Sequence, residues 1–222
     1  MPDARERTIV LGIDTATAVC VGLAIDGEVA AGGEVVDRMA HVEQLMPLVR
    51  RSCAEAGVQP SQLTEVVVGL GPGPYTGLRV GIVTARVLAE IAGARLRGIC
   101  SLDVIAAQHA GSGSVDTEFV VATDARRKEV YWARYAADGT RVQGPAVDRP
   151  GQVPRLPTIG PGADLYPDAL QAAAGPRALD PATLALSGPQ LVEAGEQPLY
   201  LRRPDAAEPG RRKPVLARGA RR

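Results

Sequence analysis

Two aspartates end predicted strands at corresponding places in the two halves of the chain. Asp14 closes the apolar run TIVLGID, with Thr15 and Thr17 just after it, and Asp124 closes the run FVVATD. Two carboxylates that face one cleft can hold a magnesium ion bound to a nucleotide, because Mg²⁺ prefers oxygen ligands. The alternative is that each aspartate only ends its strand in solvent. The pattern gives a candidate nucleotide site of Asp14, Thr15, Thr17 and Asp124.

The glycine-rich stretch GLGPGPYTGLRVG, residues 69–81, is a second candidate for phosphate binding. A Walker loop needs lysine and then serine or threonine after its last glycine, whereas Leu78 and Arg79 follow Gly77. The dinucleotide pattern G-x-G-x-x-G also fails, because Pro74 stands at the position of the third glycine. No G-x-S-x-G nucleophile motif occurs, and the two histidines have no partner at metal-binding spacing. The sequence therefore predicts no catalytic residue and no metal site of these common kinds.

The elements that position these residues begin as a meander of strands. Apolar runs predict strands over 8–14, 19–25 and 28–36, and Asp26-Gly27 is a dipeptide typical of tight hairpins. Further strands are predicted over 66–70, 95–99, 119–124, 130–135 and 199–201. Apolar spacing of three and four residues predicts helices over 41–56, 76–92, 102–110, 163–174 and 181–193. Ser101 and Asp180 are the expected N-caps of two of these helices.

The helix predicted over 76–92 is unusually apolar for a surface helix. Its charged residues are Arg79, Arg86 and Glu90, which fall within an arc of about 40° at 100° per residue. A helix packed on one sheet of a monomer normally presents a wide polar face to water. The sequence leaves two interpretations open: a central helix that its own chain covers, or a helix that a partner covers.

The order of strands and turns occurs twice along the chain. TIVLGID, VCVGLAI and Asp26-Gly27 correspond to FVVATD, VYWARY and Asp138-Gly139. We interpret this order as a duplicated strand–strand–strand unit, each copy of which starts one lobe. The sequence GSGS at 111–114 is typical of a boundary. The predicted domains are a first lobe over 1–110, a second lobe over 111–201 and a basic tail over 202–222.

Charge is distributed unevenly, although the net charge of the 222 residues is zero. Residues 202–222 carry eight basic and two acidic side chains, so this tail has a charge of +6 and the rest of the chain −6. A short tail rich in basic residues, proline and glycine is either a disordered end or a contact for an anionic partner.

Composition predicts a globular cytoplasmic protein. Hydrophobic residues make up 45% of the chain, but its longest uncharged stretch runs only from Val66 to Leu78. This is shorter than the roughly 18 apolar residues that a membrane span needs. The first residues mix acids and bases, which is not the pattern of a secretory signal. The three cysteines are odd in number, far apart, outside any C-x-x-C pair and set among apolar neighbours, which predicts buried reduced thiols.

Five motifs occur in order over nearly the whole chain: LGIDTATAVCVGLA, HVEQLMPLV, VVVGLGPGPYTGLRVGIVTARVLA, TDARRKEVYWARY and PLYLR. Together they resemble the motifs of the TsaB family. The third motif is highly specific, although Pro74-Tyr75 departs from the usual small residue followed by phenylalanine. The resemblance implies an α/β fold with two lobes of the actin-like ATPase type (ASKHA, ribonuclease H-like). In this fold a strand meander plus helices is duplicated, which agrees with the repeat described above.

The resemblance also implies a non-catalytic dimerisation subunit that acts in tRNA modification. Such a subunit binds a TsaD-like catalytic subunit, which transfers a threonylcarbamoyl group to N6 of the adenosine next to the anticodon in tRNAs reading codons that begin with A. A TsaE-like ATPase completes the assembly, and ATP and metal are bound by the partner subunits rather than by this one. The subunit meets tRNA through the complex and forms a homodimer when alone. Its nucleotide site would be vestigial.

The same resemblance implies which residues bind the partner. Members of the family pair through helices equivalent to 41–56 and 76–92. The predicted partner contacts are Leu45, Met46, Val49, Tyr75, Thr76, Gly77, Leu78, Ile82, Val83 and Val87.

Two other functions are consistent with the residues. The first is a small ATPase or sugar-kinase-like enzyme that uses Asp14, Thr15, Thr17 and Asp124 in a cleft between the lobes. The second gives the basic tail a role in contacting tRNA, because phosphate groups attract arginine and lysine.

Overall fold

The computed structural model describes residues 7–36, 41–113 and 115–202. They form two five-stranded mixed sheets. The first sheet has the order β3-β2-β1-β4-β5 and consists of β1 (Ile9–Asp14), β2 (Val19–Ile25), β3 (Glu28–Val35), β4 (Glu65–Gly69) and β5 (Arg95–Ile99). The second has the order β10-β9-β6-β7-β8 and consists of β6 (Phe119–Arg126), β7 (Glu129–Tyr135), β8 (Arg141–Asp148), β9 (Pro157–Ile159) and β10 (Gln171–Ala172).

The two sheets share one topology. In each sheet the first three strands form an antiparallel meander, and the next two strands add in parallel beside the first. The turn between β2 and β3 is Asp26–Gly27, where both residues have positive φ, and Gly139 has positive φ in the corresponding turn between β7 and β8. The duplication and the two-lobed actin-like α/β fold class predicted from the sequence are confirmed.

In the described ranges five α-helices cover the sheets: α1 (His41–Glu55), α2 (Tyr75–Ala92), α3 (Ser101–Ala110), α4 (Pro161–Leu165) and α5 (Pro181–Ser187). α1 and α2 pack side by side on one face of the first sheet, and α5 covers its other face. Strand β1 is buried on both sides for this reason: Ile9, Leu11 and Ile13 join the core under α1 and α2, whereas Val10 joins the core with α5.

The C-terminal part of the predicted second lobe returns to the first sheet. α5 contacts β1, β2 and β3, and the segment after it makes a bridge from Glu193 to Ile99 of β5. One hydrophobic cluster also joins Val67 of the first sheet, Leu184 of α5 and Phe119 of the second sheet. We therefore propose a second lobe that ends before α5, in place of the boundary at residue 201.

Several local predictions need correction. α4 ends at Leu165 because Pro167 follows, and α5 ends at Ser187 because Pro189 follows, so both helices are shorter than 163–174 and 181–193. Residues 199–201 form no strand, although the Leu199 amide donates to the Leu70 carbonyl. The N-cap of α3 is Cys100, whereas Ser101 lies inside the helix. Asp180 caps α5 as predicted, accepting hydrogen bonds from the amides of Ala182 and Thr183.

Among the described residues, no helix is both long enough and apolar enough to span a bilayer. The basic tail, apart from Arg202, lies outside the described part of the chain.

Candidate partner-binding site

The glycine-rich loop brings the start of α2 against the turn after β1. A Cβ atom on Gly69 would lie 1.7 Å from the Asp14 carboxylate, and a Cβ on Gly81 would lie 2.2 Å from Thr15 Oγ1. Thr15 Oγ1 also donates to the Gly77 carbonyl at 2.9 Å. A side chain at Gly81 would push α2 away from Thr15, and a side chain at Gly69, the last residue of β4, would displace Asp14 and Ser101. The loop therefore serves as a close-packed entry to the helix.

The inner face of α2 belongs to the core of the chain itself. Leu78 and Ile82 are buried under the helix, and Leu45 and Val49 of α1 are buried beside them. The four were predicted as partner contacts from helical spacing and family resemblance. Here they fill the space between the two helices and the first sheet, so in the free chain their side chains present almost no surface to a neighbour.

The outer face of α2 carries an exposed apolar stripe of Val83, Val87 and Ile91, which are 58%, 52% and 65% exposed. Residues four apart on a helix are neighbours on its surface, so the three side chains form one row. Met46 on the adjacent α1 is 36% exposed. Ile91 was missed by the sequence analysis, although it continues the four-residue spacing from Val83 and Val87. Single exposed apolar residues are ordinary, but a row of three along one helix is typical of an interface.

The charged edge of α2 is tied to the C-terminal segment. The Arg79 guanidinium lies 4.0 Å from the centroid of the Tyr75 ring and donates to Tyr200 Oη at 3.2 Å, while the two tyrosine rings stack at 4.6 Å. Arg86 donates to the Glu196 carbonyl at 2.6 Å. These contacts hold both arginines along one edge of the apolar stripe.

The remaining predicted contacts lie at the start of α2. Thr76 is exposed there, whereas Tyr75 stacks on Tyr200 and Gly77 packs on Thr15. Met46, Thr76, Val83 and Val87 are thus the predicted contacts that present their side chains to solvent.

The candidate nucleotide site is divided by the fold. Asp14 is only 1% exposed, and it accepts hydrogen bonds from Ser101 Oγ at 2.5 Å and from the Ala16 amide at 2.7 Å. Asp124 accepts from the Arg126 amide and forms an exposed ion pair with the Arg126 side chain. The structure therefore does not bring the two carboxylates together in one open site, and Asp14 faces Ser101 instead of the cleft.

Burial also changes the titration of Asp14. Loss of hydration raises its pKa from 3.8 to about 6, although the hydrogen bonds from Ser101 and Ala16 lower it in part. A raised pKa means that the folded state binds the proton more tightly than the unfolded state does. The contribution of Asp14 to the free energy of unfolding is then greatest below about pH 4 and is lost as the pH rises through about 6.

Asn at position 14 should remove this pH dependence. At neutral pH the ionised Asp14 costs about 3 kcal/mol relative to a freely hydrated carboxylate, so Asp14→Asn should stabilise the chain by a sizeable part of that amount. Urea unfolding at pH 4, 5, 6 and 7 measures the effect. The control variant Asp116→Asn, at an exposed position, should show the same dependence of unfolding free energy on pH as the wild type. If the free energies of unfolding of the wild type and Asp14→Asn changed in parallel with pH, this account would be contradicted.

An open cleft of about 480 Å³ does lie between the sheets. Thr15, Thr17 and Asp124 line it, together with Thr76 and Arg126. Among the described residues, no three or more His, Cys, Asp or Glu side chains are grouped as a metal site would require. Glu34 and Arg177 line the cleft as well, so it has hydroxyl groups, two carboxylates and two guanidiniums, but the strand-end aspartate of the first lobe, Asp14, does not line it.

Residues 34–188 match the family described as "TsaD: tRNA N6-adenosine threonylcarbamoyltransferase". The chain belongs to this family. It is 38% identical to tRNA threonylcarbamoyladenosine biosynthesis protein TsaB of Escherichia coli over 130 residues, which is 58% of this chain and 55% of that protein. The chain therefore spans little more than half the length of this TsaB relative.

Other relatives match over more of the chain. It is 42% identical to the uncharacterized protein Rv3421c of Mycobacterium tuberculosis, covering 89% of this chain and 93% of that one. The crystal structure of a Pseudomonas aeruginosa protein with similarity to peptidase YEAZ superposes with a TM-score of 0.72 at 27% identity, covering 88% of this chain and all of that chain. YeaZ is another name for TsaB. The TsaB resemblance inferred from the sequence is confirmed.

Proposed function

We propose that this chain is a non-catalytic dimerisation subunit for N6-threonylcarbamoylation of tRNA adenosine. In this role it binds a TsaD-type catalytic chain through the outer faces of α1 and α2. A TsaE-type ATPase joins the assembly, and tRNA is bound by the complex as a whole. When the catalytic chain is absent, the same surface pairs two copies of this chain.

The exposed stripe of Val83, Val87 and Ile91 carries the proposal. Interfaces between subunits bury apolar side chains at their centre and keep charged side chains at the rim. α2 has this arrangement, since the stripe is apolar and Arg79 and Arg86 are held at its edge by Tyr200 and Glu196. Burial of a few hundred Å² of such surface stabilises a complex by several kcal/mol at about 25 cal/mol per Å², before the cost of association.

The state of Asp14 supports a non-catalytic role. A carboxylate that binds a nucleotide-associated cation has to be ionised and within reach of the cleft. Asp14 is buried, its pKa is raised by burial, and both of its oxygens accept protein hydrogen bonds. The cleft lined by Thr17, Asp124 and Arg126 is the observation that favours the second candidate, a small ATPase or sugar-kinase-like enzyme.

Co-expression with the TsaD-type chain of the same organism tests the proposal. We expect the two chains to co-purify, and we expect threonylcarbamoyladenosine to appear in tRNA only when both are present, as measured by mass spectrometry of digested nucleosides. Calorimetry of the isolated chain with Mg-ATP distinguishes the subunit role from the second candidate, the small ATPase or sugar-kinase-like enzyme. Failure to form the complex would contradict the subunit role, and ATP turnover by the isolated chain would favour the enzyme.

A further inference from the structure

The motif PLYLR, residues 198–202, belongs to a segment that crosses from the first sheet to the second. We call residues 193–202 the strap. At its start the Ala194 amide donates to a carbonyl of β5 at 2.7 Å, and further along the Leu199 amide donates to the loop after β4 at 2.8 Å. At its end the Arg202 side chain donates to a carbonyl of β6 at 2.6 Å. The strap is therefore fixed on both sheets.

Between these anchors the strap holds two arginines of α2. Arg79 donates to Tyr200 Oη at 3.2 Å, and its guanidinium lies over the ring of Tyr75, which stacks on the ring of Tyr200. Arg86 donates to the Glu196 carbonyl at 2.6 Å and lies 3.5 Å from the carboxylate of the same residue. The charged groups of both arginines are thus placed on the strap.

The two arginines flank the apolar stripe at Val83. Val83 follows Arg79 by four positions and precedes Arg86 by three, and residues at these spacings are neighbours on a helix surface. A released arginine would lay its aliphatic stem along the valine and keep its guanidinium in water. A partner would then have to displace and order that side chain, or bury a guanidinium without an acidic partner. Either consequence lowers affinity.

The stability of the free chain does not account well for these contacts. Arg79 and Arg86 are exposed, and so is Glu196. Exposed ion pairs add little to the free energy of unfolding, because water screens them and two long side chains have to be ordered. The strap contacts are better explained by where they place the two charges.

We propose that the strap keeps the partner-binding stripe free of Arg79 and Arg86 by holding their charged groups to one side. Tyr200 is a positioning residue in this device, since it acts on the partner through Arg79. The inference rests on the proposed function, because it presumes that the stripe binds the TsaD-type chain. A strap that touches the partner directly, or that only fastens the sheets together, would respond differently to the test.

The test is a double-mutant cycle of Tyr200→Ala and Arg79→Ala, with affinity for the TsaD-type chain measured by calorimetry. Tyr200→Ala should weaken binding about threefold to tenfold, because the partner has to order the freed arginine again. Arg79→Ala alone should stay within about twofold of the wild type, since charged side chains at the rim of an interface contribute little. When Arg79→Ala is already present, Tyr200→Ala should cause no further loss, because no guanidinium remains for Tyr200 to hold.

Two further variants serve as controls, and thermal melting shows whether each variant is folded. Gln197→Ala changes an exposed residue of the same strap and should keep the wild-type affinity. Tyr200→Phe keeps the stacked ring and removes only the hydroxyl group that accepts from Arg79, so its loss should be smaller than that of Tyr200→Ala. If Tyr200→Ala unfolds, the same cycle with Tyr200→Phe decides the question.

Equal losses from the Tyr200 substitution with and without Arg79→Ala would overturn the proposal, because Tyr200 would then act on the partner or on the fold without Arg79. Unchanged affinity in the Tyr200 variants would overturn it as well. Failure of the wild-type chain to bind the TsaD-type chain would instead contradict the proposed function, and this inference would fall with it.

Discussion

Combined substitution of Val83→Glu and Val87→Glu should abolish binding of the TsaD-type chain while leaving this chain folded. Both side chains are more than half exposed, so the glutamates remain hydrated in the free subunit. In the complex the two carboxylates would have to be buried against apolar surface without partners, which is strongly unfavourable. We expect affinity to fall about a hundredfold or more, since each lost valine contact alone is worth about a factor of ten. Co-purification and sedimentation velocity measure the loss.

Two controls separate binding from folding. Val142→Glu introduces the same change at an exposed valine of β8 and should leave the complex intact. Leu78→Glu, by contrast, places a charge in a fully buried position of α2 and should unfold the chain. An intact complex with both Val83→Glu and Val87→Glu present would show that the stripe is not the interface.

The sequence predicted most elements of the first lobe to within one or two residues. The dominant signals there are local: a long apolar run for β1, Asp26-Gly27 for the hairpin and a helical period for α2. Each signal reports directly on backbone conformation, so no tertiary information was needed. The duplicated order of strands agreed with the fold class that the family resemblance implied, and the two sheets are indeed built by the same succession of strands and turns.

Prediction was poorer where a residue's role depends on what packs against it. Leu78 and Val83 lie on one apolar helix and look alike in sequence, yet Leu78 is buried and Val83 is exposed. Helical periodicity identifies an apolar face, but it does not say which chain covers that face. Asp14 shows the same limit. Its place at a strand end suggested a cleft ligand, whereas contact with Ser101, 87 positions away, turned it into a buried hydrogen-bond acceptor.

The return of α5 to the first sheet is the reason for proposing that the second lobe ends before α5. Domain boundaries read from sequence assume that a lobe is continuous, but the chain crosses back after β10 and contributes Leu184 and Ala185 to the core beside β1 and β2. The two sheets are consequently joined through α3 and α5. Kinases close their lobes around a nucleotide by hinge motion, which requires an interface that can open. A shared core opposes such motion and is better suited to a rigid subunit.

A buried polar contact reinforces this junction and gives the second large expected effect. Asp103 of α3 accepts a hydrogen bond from Tyr135 Oη of β7 at 2.8 Å and pairs with Arg141 of β8 at 3.4 Å. Burial raises the pKa of Asp103, whereas Arg141 and Tyr135 lower it. Asp103→Ala would leave the Tyr135 hydroxyl and the Arg141 guanidinium without this partner. We expect the free energy of unfolding to fall by about 3–5 kcal/mol, the usual consequence of breaking a buried charge pair.

Urea denaturation measures the loss, and Tyr135→Phe provides the matched comparison. Phenylalanine keeps the ring but removes one hydrogen bond to Asp103, so its effect should be smaller, about 1–2 kcal/mol. If the contact also fixes the angle between the sheets, hydrogen exchange in Asp103→Ala should increase in α3, β7 and β8 before it increases in α2. A loss below about 1 kcal/mol, with no change in exchange at α3, would mean that apolar packing alone holds the lobes together. The rigid junction would then rest on α5, and substitutions at Leu184 would become the decisive test.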